Sequence, residues 1–212
     1  MMKLLPSIAS SNPLCYGHTL EALADWPYLH VDIEDGCFTP NLTFGLKTVR
    51  ALCKSLEKTI DVHLMVSHPC KWLEQLQGLP IKAVCAHLEA LPYPLVFLQY
   101  AQRLGFQAGL ALNFRSPFSS VEIYLEAADY LLLMTSEPDG DDETLFSPAF
   151  KRALGILDRC ERPIVIDGGI GEDQLNVLAT HGAYATVLGR SVFQQGHPLD
   201  NLKRFSNLLE GR

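Results

Sequence analysis

Tyr28-Leu29-His30-Val31-Asp32-Ile33 and Ile60-Asp61-Val62-His63-Leu64-Met65-Val66 are the two segments whose reading decides the fold. Each is short, apolar at alternate positions and bounded by turn formers such as Asp35-Gly36, the mark of a strand. Between them Val49, Leu52, Cys53 and Leu56 recur at helical spacing. Strand, helix and strand in that order make a βαβ unit with parallel strands. The pattern repeats outward in both directions. Leu4–Ala9, Ala83–His87, Ala108–Asn113, Tyr130–Thr135, Pro163–Asp167 and Tyr184–Leu188 read as further strands, and Leu154, Ile156 and Leu157 mark another helix. Eight such units in 212 residues predict an α/β protein, a single (β/α)8 TIM barrel over residues 1–212, at the small end of that architecture. A doubly wound open sheet is the alternative, but it usually needs fewer strands. No linker, low-complexity stretch or charge block divides the chain.

Hydrophobic residues make up 48% of the chain and charged residues 19%, which suits a packed core and excludes a disordered or fibrous protein. The net charge is −7 and no run of Lys or Arg occurs. Nucleic acid and membrane surfaces are therefore not expected partners, since both are recognised through basic faces. Apolar runs such as Tyr130–Met134 fall far short of the ~20 residues of a membrane-spanning helix, and Met1–Ser10 has no apolar region of signal-peptide length. The six cysteines (Cys15, Cys37, Cys53, Cys70, Cys85 and Cys160) form no Cys-x-x-Cys pair and read as reduced thiols. The expected compartment is cytoplasmic.

In a barrel of this kind the chemistry sits at the carboxyl ends of the strands. With a side-chain period of two, His30, Asp32 and Glu34 share one face of the second strand, and Asp61, His63 and Met65 one face of the third. The seventh strand ends at Asp167-Gly168-Gly169. Any one of these polar residues alone reads as a helix cap or a loop anchor. Two histidines and two or more carboxylates converging on one mouth suit a divalent metal. Gly168-Gly169 and Gly189-Arg190-Ser191 follow strands seven and eight, where such barrels bind phosphate through backbone N–H groups. Arg190 adds a forked donor for an anion. His87 ends the fourth strand beside Glu89, a position from which it can line the pocket. His18, His68, His181 and His197 read as loop or surface residues, and Trp26 and Trp72 as packing.

Almost the whole chain resembles the ribulose-phosphate 3-epimerase family. The matching segments are Pro6-Ser7-Ile8-Ala9-Ser10, His30-Val31-Asp32-Ile33-Glu34-Asp35-Gly36, Phe38-Thr39-Pro40-Asn41-Leu42-Thr43, Asp61-Val62-His63-Leu64-Met65, Gly109-Leu110-Ala111-Leu112-Asn113 and Asp167-Gly168-Gly169-Ile170. His-x-Asp-x-x-Asp-Gly followed by Asp-x-His-Leu-Met is highly specific. The resemblance implies a barrel that inverts C3 of a ketose phosphate, ribulose 5-phosphate to xylulose 5-phosphate or a related pair, through one divalent metal (Zn, Fe, Mn or Co). It implies His30, Asp32, His63 and Asp167 as metal ligands, Asp32 as proton acceptor and Asp167 as proton donor. Ser7 resembles the family's substrate-binding serine, Met65 joins it, and Gly168, Gly169, Gly189 and Arg190 fall where the family holds phosphate. A homo-oligomer is expected.

Three departures mark a divergent, epimerase-like branch. Glu34 stands where the family has Met. The family's loop after strand six is replaced by Glu137-Pro138-Asp139-Gly140-Asp141-Asp142-Glu143, and its Gly-Ser before the last helix by Gly189-Arg190. Five carboxylates in that loop would repel a phosphate they faced, so Arg190 is expected to compensate, or the sugar to differ. Glu34 can accept hydrogen bonds from sugar hydroxyls. The competing function is a non-catalytic sugar-phosphate-binding barrel acting as a sensor, against which an intact acid–base pair argues. A Schiff-base aldolase would need a strand-end Lys, and no predicted strand end carries one.

Overall fold

A computed structural model describes residues 1–54, 57–137, 144–194 and 196–211. Strands β1 (Lys3–Pro6), β2 (Tyr28–Glu34), β3 (Thr59–Met65), β4 (Ile81–His87), β5 (Gln107–Leu112), β6 (Tyr130–Met134), β7 (Ile164–Asp167) and β8 (Ala185–Leu188) form one sheet. Between and after them lie helices α1 (Tyr16–Ala22), α2 (Leu46–Lys54), α3 (Pro69–Leu76), α4 (Pro94–Arg103), α5 (Ser119–Glu122), α6 (Ser147–Leu157), α7 (Glu172–Thr180), α8 (Arg190–Phe193) and α9 (Pro198–Glu210). Neighbouring strands are all parallel, in the order β1-β8-β7-β6-β5-β4-β3-β2. A parallel bridge between Ser7 and His30 brings β1 to β2 and closes the (β/α)8 barrel. Among the described residues no helix is long and apolar enough to cross a membrane, and all six cysteines are free thiols.

The elements fall within a residue or two of where the spacing predicts them, save at the first strand, and Leu56 of the first predicted helix lies outside the described residues. The strand expected over Leu4–Ala9 stops at Pro6, and Ile8–Ser10 curls into a 3₁₀ turn whose Ser10 N–H donates to the Ser7 carbonyl at 3.2 Å. Prolines open α3, α4, α6 and α9, where a missing N–H loses no helical bond.

Alternation along each strand divides the core in two. Val31, Ile33, Val62, Leu64, Leu131 and Ile166 face outward and pack with helix residues such as Phe97, Leu175 and Phe205. Leu5, Ala83, Cys85, Leu132, Val165 and Val187 fill the barrel interior. Both faces are buried, so most strands read as nearly continuous apolar runs. The inward polar residues of β2 and β3 break that rule.

Small residues in the interior make room for one large one. Tyr130 pairs with Gly109 across β5 and β6, and a Cβ on Gly109 would fall 2.5 Å from the Tyr130 ring. The ring is buried inside the barrel, so it has nowhere to go. Gly109→Ala is therefore expected to lose about 1–3 kcal/mol by overpacking, seen as a lower urea midpoint. An unchanged midpoint would mean that the interior yields more easily than a close-packed core should.

Candidate metal centre

Strand register builds the centre. In the β2–β3 pair Asp32 stands beside His63 and His30 beside Asp61. Asp167 ends β7, paired with Met134 of β6, and Thr135 holds that end by donating its hydroxyl to the carbonyls of Asp167 (3.0 Å) and Gly168 (2.5 Å). His30, Asp32, His63 and Asp167 each turn one ligand atom inward, and these atoms all lie within 4.8 Å of one another. His30 Nε2 is 3.0 Å from Asp32 Oδ1 and 3.8 Å from Asp167 Oδ2. His63 Nδ1 is 3.3 Å from each of Asp32 Oδ1 and Asp167 Oδ2. Neither imidazole has exposed surface. The four residues that the family resemblance implied as ligands thus meet in one cluster.

The electrostatics suit a cation. Burial opposes the charged form of His30, but the Asp61 and Asp32 carboxylates outweigh it and hold its pKa well above the usual histidine value. Burial also works against His63, yet its hydrogen bonds to Asp167 and Asp32 push it up to about 8. For Asp32 burial acts upward, and the two imidazoles override it, holding the carboxyl far below the usual range. The cluster demands positive charge. Two imidazole nitrogens and two carboxylate oxygens at this spacing fit a divalent transition metal, for which imidazole and carboxylate are both good donors.

Spacing put Asp61 on the inward face of β3, but which atoms the neighbouring residues meet was not legible in it. Asp61 Oδ2 accepts a short hydrogen bond from His30 Nδ1. Ser7 donates its hydroxyl to Asp32 Oδ2. His87 does not reach the pocket wall. Its ring lies behind His63, with Nε2 to Nε2 at 3.0 Å and centroids 4.9 Å apart at 24°. Burial, above all, keeps the His87 pKa below the usual value. The clue in the sequence was the strand-end pair His87 and Glu89, two residues apart.

Above the cluster opens a pocket of about 400 Å³ whose lining includes Ser7, Asp32, Glu34, Met65, Met134, Asp167, Gly168, Gly169, Gly189 and Arg190. All the predicted site residues except the two histidines beneath them therefore face one space. Gly169 has φ +67, and a Cβ there would meet the Leu145 nitrogen at 2.3 Å, so only glycine fits where this loop crosses the chain before α6. Ser191 ties the loops after β7 and β8 together by donating to the Ile170 carbonyl at 3.0 Å. Glu34 is buried and accepts the Thr39 hydroxyl at 3.1 Å. Burial, reinforced by Asp32, pushes its pKa up to about 7. Of the acidic loop, residues 138–143 lie outside the described residues. Glu137, its first carboxylate, accepts from the Arg115 guanidinium and does not line the pocket.

A model of the ribulose-phosphate 3 epimerase family matches residues 3–193. The chain is 34% identical over 202 residues to the ribulose-phosphate 3-epimerase of Rhodobacter capsulatus, covering 92% of this chain and 87% of that one. It is 31% identical over 202 residues to the enzyme of the same name from Aquifex aeolicus, covering 91% and 90%. Among solved structures, KGPDC from Streptococcus mutans superposes with a TM-score of 0.75 at 12% identity, over 100% of this chain and 98% of that one, which bears on the fold alone. A parallel eightfold barrel, a His/Asp cluster at its mouth and a match along nearly the whole length agree: the chain belongs to the ribulose-phosphate 3 epimerase family, a family of isomerase-class carbohydrate epimerases.

Proposed function

We propose that this protein inverts C3 of a ketose phosphate, ribulose 5-phosphate to xylulose 5-phosphate or a related pair, with Asp32 taking the C3 proton and Asp167 returning one to the opposite face. The observation that carries this reading is the approach of both carboxylates, one from β2 and one from β7, to His63 Nδ1 at 3.3 Å on the floor of the pocket. His30, Asp32, His63 and Asp167 would hold one Zn, Fe, Mn or Co ion. When bound, the ion offsets the negative charge that builds on the ketone and neighbouring hydroxyl oxygens as C3 loses its proton.

Asp32 is ionised, because the imidazoles hold its pKa down, and so is able to accept the proton. The Ser7 hydroxyl binds one of its oxygens and fixes the direction in which the carboxylate reaches. Asp167 returns a proton on the other face of the carbon, which is what inversion requires. The two carboxylates are only 7% and 8% exposed, so little water competes for the proton in flight. Met65 packs against the sugar, and the far end of the pocket, with Gly168, Gly169, Gly189 and Arg190, receives the phosphate.

Incubation with a panel of ketose phosphates in D₂O tests the reaction. Deuterium is expected at C3 of at least one sugar, together with its C3 epimer. Binding without any exchange across the panel would favour the sensor reading instead. Arg190→Ala is expected to raise KM about tenfold or more, since a hydrogen bond to a charged group is worth ~1.5–3 kcal/mol, with kcat held within a few-fold. An unchanged KM would remove Arg190 from the phosphate end.

A further inference from the structure

A histidine binds a metal through a lone pair, so its outward nitrogen must carry the proton. His30 and His63 turn opposite nitrogens toward Asp32 and Asp167: Nε2 in His30 and Nδ1 in His63. For His30 the outward Nδ1 meets the Asp61 carboxylate, which can only accept, so with an ion in the cluster the proton sits on Nδ1 and the lone pair on Nε2.

His63 has no such carboxylate. Its outward Nε2 meets Nε2 of His87 at 3.0 Å, and an imidazole nitrogen can donate or accept. The tautomer is settled one residue further out. Glu89 Oε2 lies 3.3 Å from His87 Nδ1. Its other oxygen accepts the Asn113 N–H at 3.0 Å and the Ser116 hydroxyl, which anchors the carboxylate as an acceptor. With an ion in the cluster, His87 Nδ1–H therefore donates to Glu89, His87 Nε2 accepts from His63 Nε2–H, and His63 Nδ1 is left with its lone pair inward.

We propose that Glu89 and His87 are positioning residues that set the tautomer and ring plane of His63, and so make its Nδ1 the ligating atom. His87 is itself held from both sides, because it stacks on His63 and Phe38 packs on it, with centroids 4.9 Å apart in each pair, and the stack constrains the His63 ring plane. His63 and His87 are both fully buried, so no water stands in for a missing partner. Outer partners of this kind typically contribute ~10–100-fold to metal affinity.

The inference rests on the metal reading above, and Co²⁺ tests the two separately. Co²⁺ affinity, from competition with a chelating dye, and the visible Co²⁺ absorption bands are compared in wild type, His87→Phe, His87→Gln and Glu89→Ala. His87→Phe keeps the stack and loses the hydrogen bond. It is expected to weaken Co²⁺ binding ~10–100-fold and shift the bands. His87→Gln, whose carboxamide can accept from His63 and donate to Glu89, is expected to stay within a few-fold of wild type. Glu89→Ala should move with His87→Phe, and being partly exposed it carries the test if His87→Phe does not fold. Wild-type affinity and bands in Glu89→Ala, or His87→Gln as impaired as His87→Phe, would overturn the relay. A wild-type protein that takes up no Co²⁺ overturns the metal reading and the relay with it.

Discussion

Asp32→Asn and Asp167→Asn are each expected to lower epimerisation by ~10²–10⁴-fold at saturating metal, the usual worth of a positioned acid or base. The amide keeps the shape and one potential ligand oxygen but cannot carry the proton. Because inversion uses one group per face of the carbon, the two variants should differ in a further way. With one carboxylate left, slow deuterium wash-in at C3 should survive from one epimer and vanish from the other, and the surviving epimer should switch between the variants. NMR of each sugar in D₂O reads this directly. Near-normal turnover in either metal-loaded variant would refute the two-carboxylate assignment, and loss of both exchanges in one variant with neither lost in the other would point to a single base. The comparison is clean because both side chains stand on strand ends of a closed barrel, so neither substitution has a helix or loop to unravel.

The second large effect is on the metal. His30→Ala and His63→Ala each remove a donor from a four-residue set. Metal retained after dialysis, measured by atomic emission, is expected to fall by more than the ~10–100-fold that loss of an outer partner costs. Stability should fall too. Asp32 and Asp167 would share the interior with less positive charge near them, and stripping a buried charge of its partner costs about 3–5 kcal/mol. Full metal content in either variant, with an unchanged melting temperature, would show that the cluster does not hold the ion.

Glu34 makes the same point about charge in a smaller way. It occupies an inward position two residues beyond Asp32, where burial and the Asp32 charge push its carboxyl pKa up to about 7. It lines the pocket beside Met65.

Local spacing determined the barrel and which residues of β2 and β3 share its inward faces. Strand and helix periods of 2 and about 3.6 are short-range properties, so Tyr28–Ile33 and Ile60–Val66 announce themselves as strands, and alternation puts His30, Asp32 and His63 on inward faces. Asp167 and Gly168-Gly169 follow from the same rule at β7. Which atom meets which was decided only by the closed barrel. Asp61 reaches His30, and Asp32 reaches His63, because β2 and β3 pair in one particular register. His87 lies behind His63 because the β3–β4 register shifts between Ile60 and Asp61, and Glu89 becomes its anchor only where Asn113 and Ser116 come alongside. Register, stagger and closure depend on how all eight strands pack around the interior, on Tyr130 over Gly109 as much as on any residue of the site. No local period carries that information, which is why the inward residues were readable and their partners were not.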